Sequence, residues 1–279
     1  MYKLLALDLD GTVLNSKHQI NQPLIETIKN LPDDIMVMIV TGRHHTAAKP
    51  YYDQLNLTTP IICCNGTYLY DFKTLEVISE NSIPKDQALQ FLSLCDQYGM
   101  KKTMYVTHSM LYDESNPMTY METLQHWSLQ FPEDDRPSII KISDFETSIR
   151  NNNYVWKFVL EGKYEDVAAF FADPFIKTEF SVEQSFFNRF DLARKGNTKG
   201  NRLAEYISSM GIHPEQVVAI GDHNNDISMF AVAGMGVTLD HADQVVKQAA
   251  NVVIDSNNDD LHGLANFINS LFKAPLSDQ

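Results

Sequence analysis

The chain is predicted to be α/β: a doubly wound, Rossmann-like core of parallel strands carrying an inserted α+β unit. Three observations point there. Short, nearly continuous apolar runs recur toward both ends of the chain, most of them flanked by a segment of helical periodicity. Between about residues 82 and 188 the pattern changes to alternating, aromatic-rich runs. The length, 279 residues, is enough for two moderate domains with real cores.

The first strand is Leu4–Leu7, which runs straight into Asp8, Leu9, Asp10, Gly11 and Thr12. Leu24, Ile28 and Leu31 then share one face of a helix. Met36–Val40 and Ile61–Cys64 are the next apolar runs. The first ends in Thr41-Gly42-Arg43; the second ends in Asn65-Gly66, which could shape a crevice wall or form a plain turn. These segments make residues 1–81 the first part of the core. The insert, 82–188, is expected to hold helices over Asp86–Tyr98, around Met118–Trp127 and over Tyr164–Ala172. Its strands are expected in TMYVTH, SMLYDE, YVWKFVLEG and EQSFFNRFDL. The core resumes over 189–279. In KGNRLAEYISSMG, Leu203, Ile207 and Met210 recur at helical spacing, Thr198 can cap the start and Gly211 can end it. Strands Val217–Ile220, Gly236–Leu239 and Val252–Ile254 follow, and DLHGLANFINSLF closes the pattern with a helix. The last residues, APLSDQ, are expected to fray.

Composition narrows the function. Lys and Arg number 22 against 36 Asp and Glu, a formal charge of −14, so the molecule as a whole repels nucleic acid and anionic membrane. An anionic substrate needs a local cationic site. Cys63, Cys64 and Cys95 form no C-x-x-C pair, which argues against a disulfide framework or a zinc knuckle. The N-terminus lacks a signal peptide's apolar core, and no run approaches transmembrane length. A cytoplasmic protein with reduced thiols is expected.

The acidic strand ends carry the chemistry. Asp8 and Asp10 stand one residue apart at the carboxyl end of a buried strand, where open α/β sheets place ligands. A second cluster, GDHNND, follows the strand VVAI and supplies Asp222, Asn225 and Asp226. Taken singly, either cluster could simply make turns and helix caps. Together they repel unless a cation lies between them, and hard oxygen donors without thiolates favour Mg²⁺. The Thr41 hydroxyl and the unhindered backbone at Gly42 suit a phosphate oxygen. Lys199 sits at the first turn of a capped helix, where dipole and ammonium both favour an anion. Acid pair, hydroxyl, lysine and acid pair, in that order, specify phosphoryl transfer through a covalent aspartyl phosphate.

In four motifs, DLDGT, TGR, the Lys199 helix and GDHNND, the sequence resembles the haloacid dehalogenase-like hydrolases. The insert's place, after TGR and before Lys199, resembles their Cof-type subgroup, and the resemblance covers the whole chain. It implies that Asp8 is the nucleophile and an Mg²⁺ ligand. Asp10 would be the general acid and base, lending its backbone carbonyl to the metal, with Asp222 as the third protein ligand. Thr41, the N–H of Gly42, Lys199, Asn225 and the Leu9 backbone would hold the phosphate, and Asp226 would support the metal or Lys199. The stretches TGRHH, TPIICCNGTYLYD, MYV and VWKF resemble members that act on pyridoxal 5′-phosphate. A small phosphorylated metabolite is therefore the expected substrate, pyridoxal 5′-phosphate first and sugar phosphates as the alternative.

The insert's Tyr105, Tyr112, Trp127, Trp156, Phe186 and Phe187 could line a lid over a flat ring or form the insert's own core. The lid is expected to close over substrate. Arg43 and His44 are candidate substrate contacts; Arg43 could also hold the phosphate or the lid, or be solvent-exposed, and the adjacent His44–His45 pair, which lacks metal-ligand spacing, could equally be helix surface. Two rivals remain. A phosphoryl-receiver module uses a similar pocket but lacks an acid two residues after its nucleophile, and a phosphosugar mutase of the same superfamily would need to exclude water.

Overall fold

The computed structural model describes residues 1–272, so the expected frayed end, APLSDQ, lies outside the described residues. Strand β1 (Leu4–Leu7) has no exposed side chain, as an unalternating apolar run requires. Helix α1 (Gln22–Lys29) carries Pro23 in its first turn, which the fixed φ of proline suits, and buries Leu24, Thr27 and Ile28. Strand β2 (Met36–Ile39) lies parallel to β1, and α2 (His45–Gln54) follows it.

Strand β3 (Ile61–Cys63) is one residue shorter than the apolar run predicts. Its ladder link toward β2 is the isolated parallel bridge Val40–Ile62, just past the end of β2, and it pairs instead with β4 (Tyr68–Asp71), which pairs with β5 (Glu76–Glu80), both antiparallel. The cause is a left-handed corner: Cys64, Asn65 and Gly66 have φ of 49°, 57° and 90°. Gly66 has no substitute there, because a Cβ would stand 2.0 Å from the Thr198 carbonyl oxygen.

The insert contains α3 (Lys85–Gln97), β6 (Lys101–Val106), β7 (Met110–Asp113), α4 (Met121–Ser128), β8 (Ile139–Ile142) and α5 (Phe145–Asn151). It continues through β9 (Val155–Glu161), α6 (Tyr164–Ala172), α7 (Pro174–Glu179), β10 (Phe180–Phe186) and β11 (Arg189–Arg194). Its six strands form one sheet in the order β10-β11-β9-β6-β7-β8, antiparallel except between β7 and β8. The expected boundary at residues 188 and 189 is therefore corrected. It falls in the turn of the β10–β11 hairpin, and β11 belongs to the insert's sheet. The two connecting segments are stapled together: Asn81 and Asn197 exchange two hydrogen bonds at 2.7 and 2.9 Å, and Arg194 Nη1 donates to Asn81 Oδ1 at 2.9 Å.

The core resumes with α8 (Lys199–Ser209), capped by the Thr198 hydroxyl, which accepts from Asn201 N at 3.0 Å. Then come β12 (Val217–Ile220), α9 (Ile227–Phe230), β13 (Met235–Leu239), α10 (Gln244–Ala249), β14 (Val252–Ile254) and α11 (Gly263–Phe272). Five parallel strands run β14-β13-β12-β1-β2. The chain steps from β1 outward to β2 on one side and returns to β12 on the other, so the strand order reverses at β1. That reversal opens a crevice at the carboxyl ends, and Asp8, Thr41 and Asp222 all stand there.

The insert keeps its own core, centred on Phe91, Phe158, Phe170 and Phe180. Tyr105, Tyr112, Trp127 and Trp156 lie outside it. They join a cluster that continues into Leu5, Leu7 and Tyr51 of the parallel core. Trp156 stacks on Tyr68 with ring centroids 4.1 Å apart. These four side chains thus weld insert to core; Phe187 is exposed, and the Phe186 side chain lies outside the described ones. No helix among the described residues is long and apolar enough to cross a membrane.

Candidate active site

Asp8 follows β1, and its backbone N–H still donates to Ile220 O of β12 at 3.0 Å, so its side chain is delivered by the sheet itself. Lys199 Nζ lies 2.6 Å from Asp8 Oδ1 and 2.6 Å from Asp226 Oδ1, with all three side chains buried. Asp226 is held in turn by the backbone N–H groups of Asp222 and His223, each donating to Oδ2 at 2.9 Å. Thr12 Oγ1 donates to Asp222 Oδ1 at 2.7 Å. Gly11 permits this approach: its φ is 81°, and a Cβ would sit 2.2 Å from Asp222 Oδ2.

Burial pushes the Asp8 carboxyl well above its usual range; Lys199 pulls it down, while Asp226 and Asp222 push it further up. Burial also weighs against the Lys199 ammonium, but Asp226 and Asp8 more than offset it and raise its pKa. Asp222 is held low despite its burial, by hydrogen bonds from His223 and His241 at 2.6 and 3.3 Å. His223 is pushed up to about 9, first by that hydrogen bond.

Asp8, Asp222 and Asp226 each offer a carboxylate oxygen, and these oxygens lie within 4.8 Å of one another. Three carboxylates outnumber the cationic groups that face them, Lys199 and His223, and the donors that converge are all hard oxygen, which suits a divalent cation. The residues present therefore fit a metal ion such as Mg²⁺. The Asp10 carboxylate stands apart from this trio. Arg43 grips it with Nε at 2.7 Å from Oδ2 and Nη2 at 2.5 Å from Oδ1. Desolvation raises Asp10, but Arg43 outweighs it and leaves the carboxyl below its ordinary value. Leu9, between the two acids, has a fully buried side chain, and its carbonyl accepts from Leu14 N at 2.8 Å.

The loop after β2 forms the opposite wall. Thr41 is fully buried, and its hydroxyl accepts from Arg43 N at 3.1 Å. Asn65 stands at the centre of this wall. Its Oδ1 accepts from Asn225 Nδ2 at 3.2 Å and would lie 2.8 Å from a Cβ on Gly42; its Nδ2 donates to Glu183 Oε2 of β10. Asn225 Oδ1 is buried without a partner. From β9, Lys157 Nζ reaches the Gly42 carbonyl at 2.9 Å and Asp191 at 3.2 Å. Burial pushes Glu183 up to about 7, and Asp191 adds to the shift.

His44 does not face a crevice. It is fully buried, with Nε2 2.9 Å from Val106 O on β6 and Nδ1 2.9 Å from Thr46 Oγ1. A carbonyl can only accept, so Nε2 carries the hydrogen and Nδ1 accepts. Burial pushes its pKa down to about 3, so the ring is neutral and docks α2 onto the insert. His45 is also buried, stacked on Tyr70 at 4.0 Å. Sequence reasoning missed Thr12, Lys157 and Glu183. Thr12 is signalled by its place inside DLDGT; Glu183 sits on a strand whose alternation resembles any half-exposed strand.

A model described as haloacid dehalogenase-like hydrolase matches residues 5–268. The pyridoxal phosphate phosphatase YbhA of Escherichia coli strain K12 is 36% identical over 272 residues, covering 96% of this chain and 98% of that protein. The 5-amino-6-(5-phospho-D-ribitylamino)uracil phosphatase YitU of Bacillus subtilis strain 168 is 27% identical over 277 residues, with 96% and 97% covered. A solved haloacid dehalogenase-like hydrolase from Bacteroides thetaiotaomicron superposes with a TM-score of 0.84 at 27% identity, covering 98% of this chain and 100% of that one. Sequence motifs, the acid–lysine centre at the strand ends and a family match across nearly the whole length agree: the chain belongs to the haloacid dehalogenase-like hydrolases.

Proposed function

We propose that this haloacid dehalogenase-like phosphatase hydrolyses small phosphomonoesters through an aspartyl phosphate on Asp8, with pyridoxal 5′-phosphate as its substrate. The observation that carries the reading is that Lys199 bonds Asp8 and Asp226 at 2.6 Å each, while a carboxylate oxygen of Asp222 lies within 4.8 Å of theirs. Asp8 attacks phosphorus, and the ester oxygen leaves with a proton from Asp10, which Arg43 holds ionised in this structure and which must take up that proton when substrate binds. Asp10 then removes a proton from water, which releases phosphate from Asp8. Lys199, Thr41, the Gly42 N–H, Asn225 and the Leu9 backbone hold the phosphoryl oxygens, and Asp226 fixes Lys199. Mg²⁺, held by Asp8, the Asp10 carbonyl and Asp222, would keep Asp8 ionised and draw charge from the phosphoryl group. The substrate assignment is supported by the 36% identity to a pyridoxal phosphate phosphatase over nearly the full length.

The test is phosphate release from pyridoxal 5′-phosphate, hexose phosphates and p-nitrophenyl phosphate, with and without EDTA. The expected result is Mg²⁺-dependent turnover, highest kcat/KM for pyridoxal 5′-phosphate, and none in Asp8→Asn with its circular dichroism unchanged. Near-normal activity in Asp8→Asn overturns the covalent route, and a preference for hexose phosphates overturns the substrate.

A further inference from the structure

The grip of Arg43 on Asp10 is not made by the core alone. The Arg43 guanidinium lies 5.1 Å from the Tyr51 ring centroid on α2 and 4.7 Å from the Trp127 ring centroid on α4, which belongs to the insert. Contact with both rings restrains the guanidinium that makes the two hydrogen bonds to Asp10. Trp127 is buried, and its indole N–H donates to Tyr51 Oη at 3.1 Å. Tyr51 in turn donates to the backbone carbonyl of His18 at 2.9 Å. His18 adopts a left-handed φ of 56°, and its ring stands 3.8 Å from Asp10 Oδ1. Arg43 and His18, which both approach the Asp10 carboxyl, are thus linked through Tyr51, and Trp127 touches Arg43 and Tyr51 directly.

We infer that Trp127 is a positioning residue for Asp10: through Arg43 and Tyr51 the docked insert fixes where the proton-transfer carboxyl points. This rests on the proposed role of Asp10 above. The consequence is chemical. Orientation of Asp10 matters most where the departing oxygen is strongly basic and must leave protonated. It matters little for p-nitrophenolate, which leaves without a proton. The first irreversible step, transfer to Asp8, is read by kcat/KM.

The experiment compares kcat/KM for an alkyl phosphate, pyridoxal 5′-phosphate, with that for p-nitrophenyl phosphate in the full-length Mg²⁺ enzyme. The variants are Trp127→Leu, Trp127→Phe, Arg43→Lys and Asp10→Asn. Asp10→Asn is expected to lose about 10²-fold or more on the alkyl ester relative to the aryl ester. Trp127→Leu and Arg43→Lys are expected to lose about tenfold in the same ratio, and Trp127→Phe, which keeps a ring face over Arg43, to recover most of it. A packing role alone would lower both substrates in parallel. If Asp10→Asn discriminates but Trp127→Leu and Arg43→Lys do not, the inference fails while the role of Asp10 stands. If Asp10→Asn does not discriminate, the proton-transfer role fails and the inference with it. Should Trp127→Leu not fold, Arg43→Lys decides by the same ratio.

Discussion

Replacing Glu183 by Gln should stabilise the protein, and by an amount that grows with pH. Glu183 sits on β10 with its carboxylate against Asn65 Nδ2 and Asp191 nearby, and it holds its proton up to about pH 7 instead of 4.5. Below 4.5 the carboxyl is protonated folded or unfolded, and it contributes no pH dependence. Between 4.5 and 7 the unfolded chain has released the proton while the folded chain still binds it, so rising pH favours unfolding. Above 7 the penalty is complete. At about 1.4 kcal/mol per pH unit, a rise from 4.5 to about 7 corresponds to a ceiling of about 3 kcal/mol. Gln can accept the same Asn65 hydrogen bond without ever ionising. Urea unfolding of both proteins between pH 4 and 8, at fixed ionic strength, measures the difference. The variant should match the wild type near pH 4 and exceed it progressively toward pH 8. A difference that stays constant with pH, or a variant that weakens as pH rises, refutes the argument.

Lys157→Met should cost about 2–4 kcal/mol, because Asp191, whose side chain is 16% exposed, is left facing an apolar surface. Adding Asp191→Leu should return more than half of that loss in a urea titration, and no recovery would mean that the pair is not the source. Trp156→Ala should cost about 3–5 kcal/mol, since the ring is fully buried and stacked on Tyr68. Because one apolar cluster spans both sheets, the wild type should unfold in one transition by both circular dichroism and tryptophan fluorescence; two resolved transitions would contradict that continuity.

The parallel core is legible in the sequence because its strands are buried on both faces. Leu4–Leu7 and Val217–Ile220 show no alternation, and the acids that end them must then stand at the carboxyl edge. The α8 cap is equally plain, since a threonine immediately before the periodic residues has one local use. The β3–β4 hairpin is hidden. Its corner puts Cys64 and Asn65 at positive φ; Asn65-Gly66 signals a turn, but nothing in Cys64 marks a left-handed residue, and the turn signal alone does not say that the strand after it folds back antiparallel. The insert's exit is misplaced for a related reason: the polar pair Asn188-Arg189 marks a turn, and a turn inside a hairpin looks the same as a turn leaving a domain. Burial of an aromatic can be foreseen, but its partner cannot. Trp127 and Trp156 are as apolar as Phe91 and Phe158, yet only the latter pair belongs to the insert's own core. Two-residue polar contacts such as Lys157 with Gly42 depend on register across separate sheets, which no local pattern encodes.

The aromatic weld limits how such enzymes can exchange parts. Grafting a relative's insert onto this chain would bring new rings to face Tyr51 and Tyr68 without the residues that evolved beside them, and would strand Arg43 without its indole. A recombinant hybrid of this kind keeps its acids and lysine in place and still loses the surface on which its two halves recognise each other. A working exchange of the insert would have to carry partners for Tyr51, Tyr68 and Arg43 along with it.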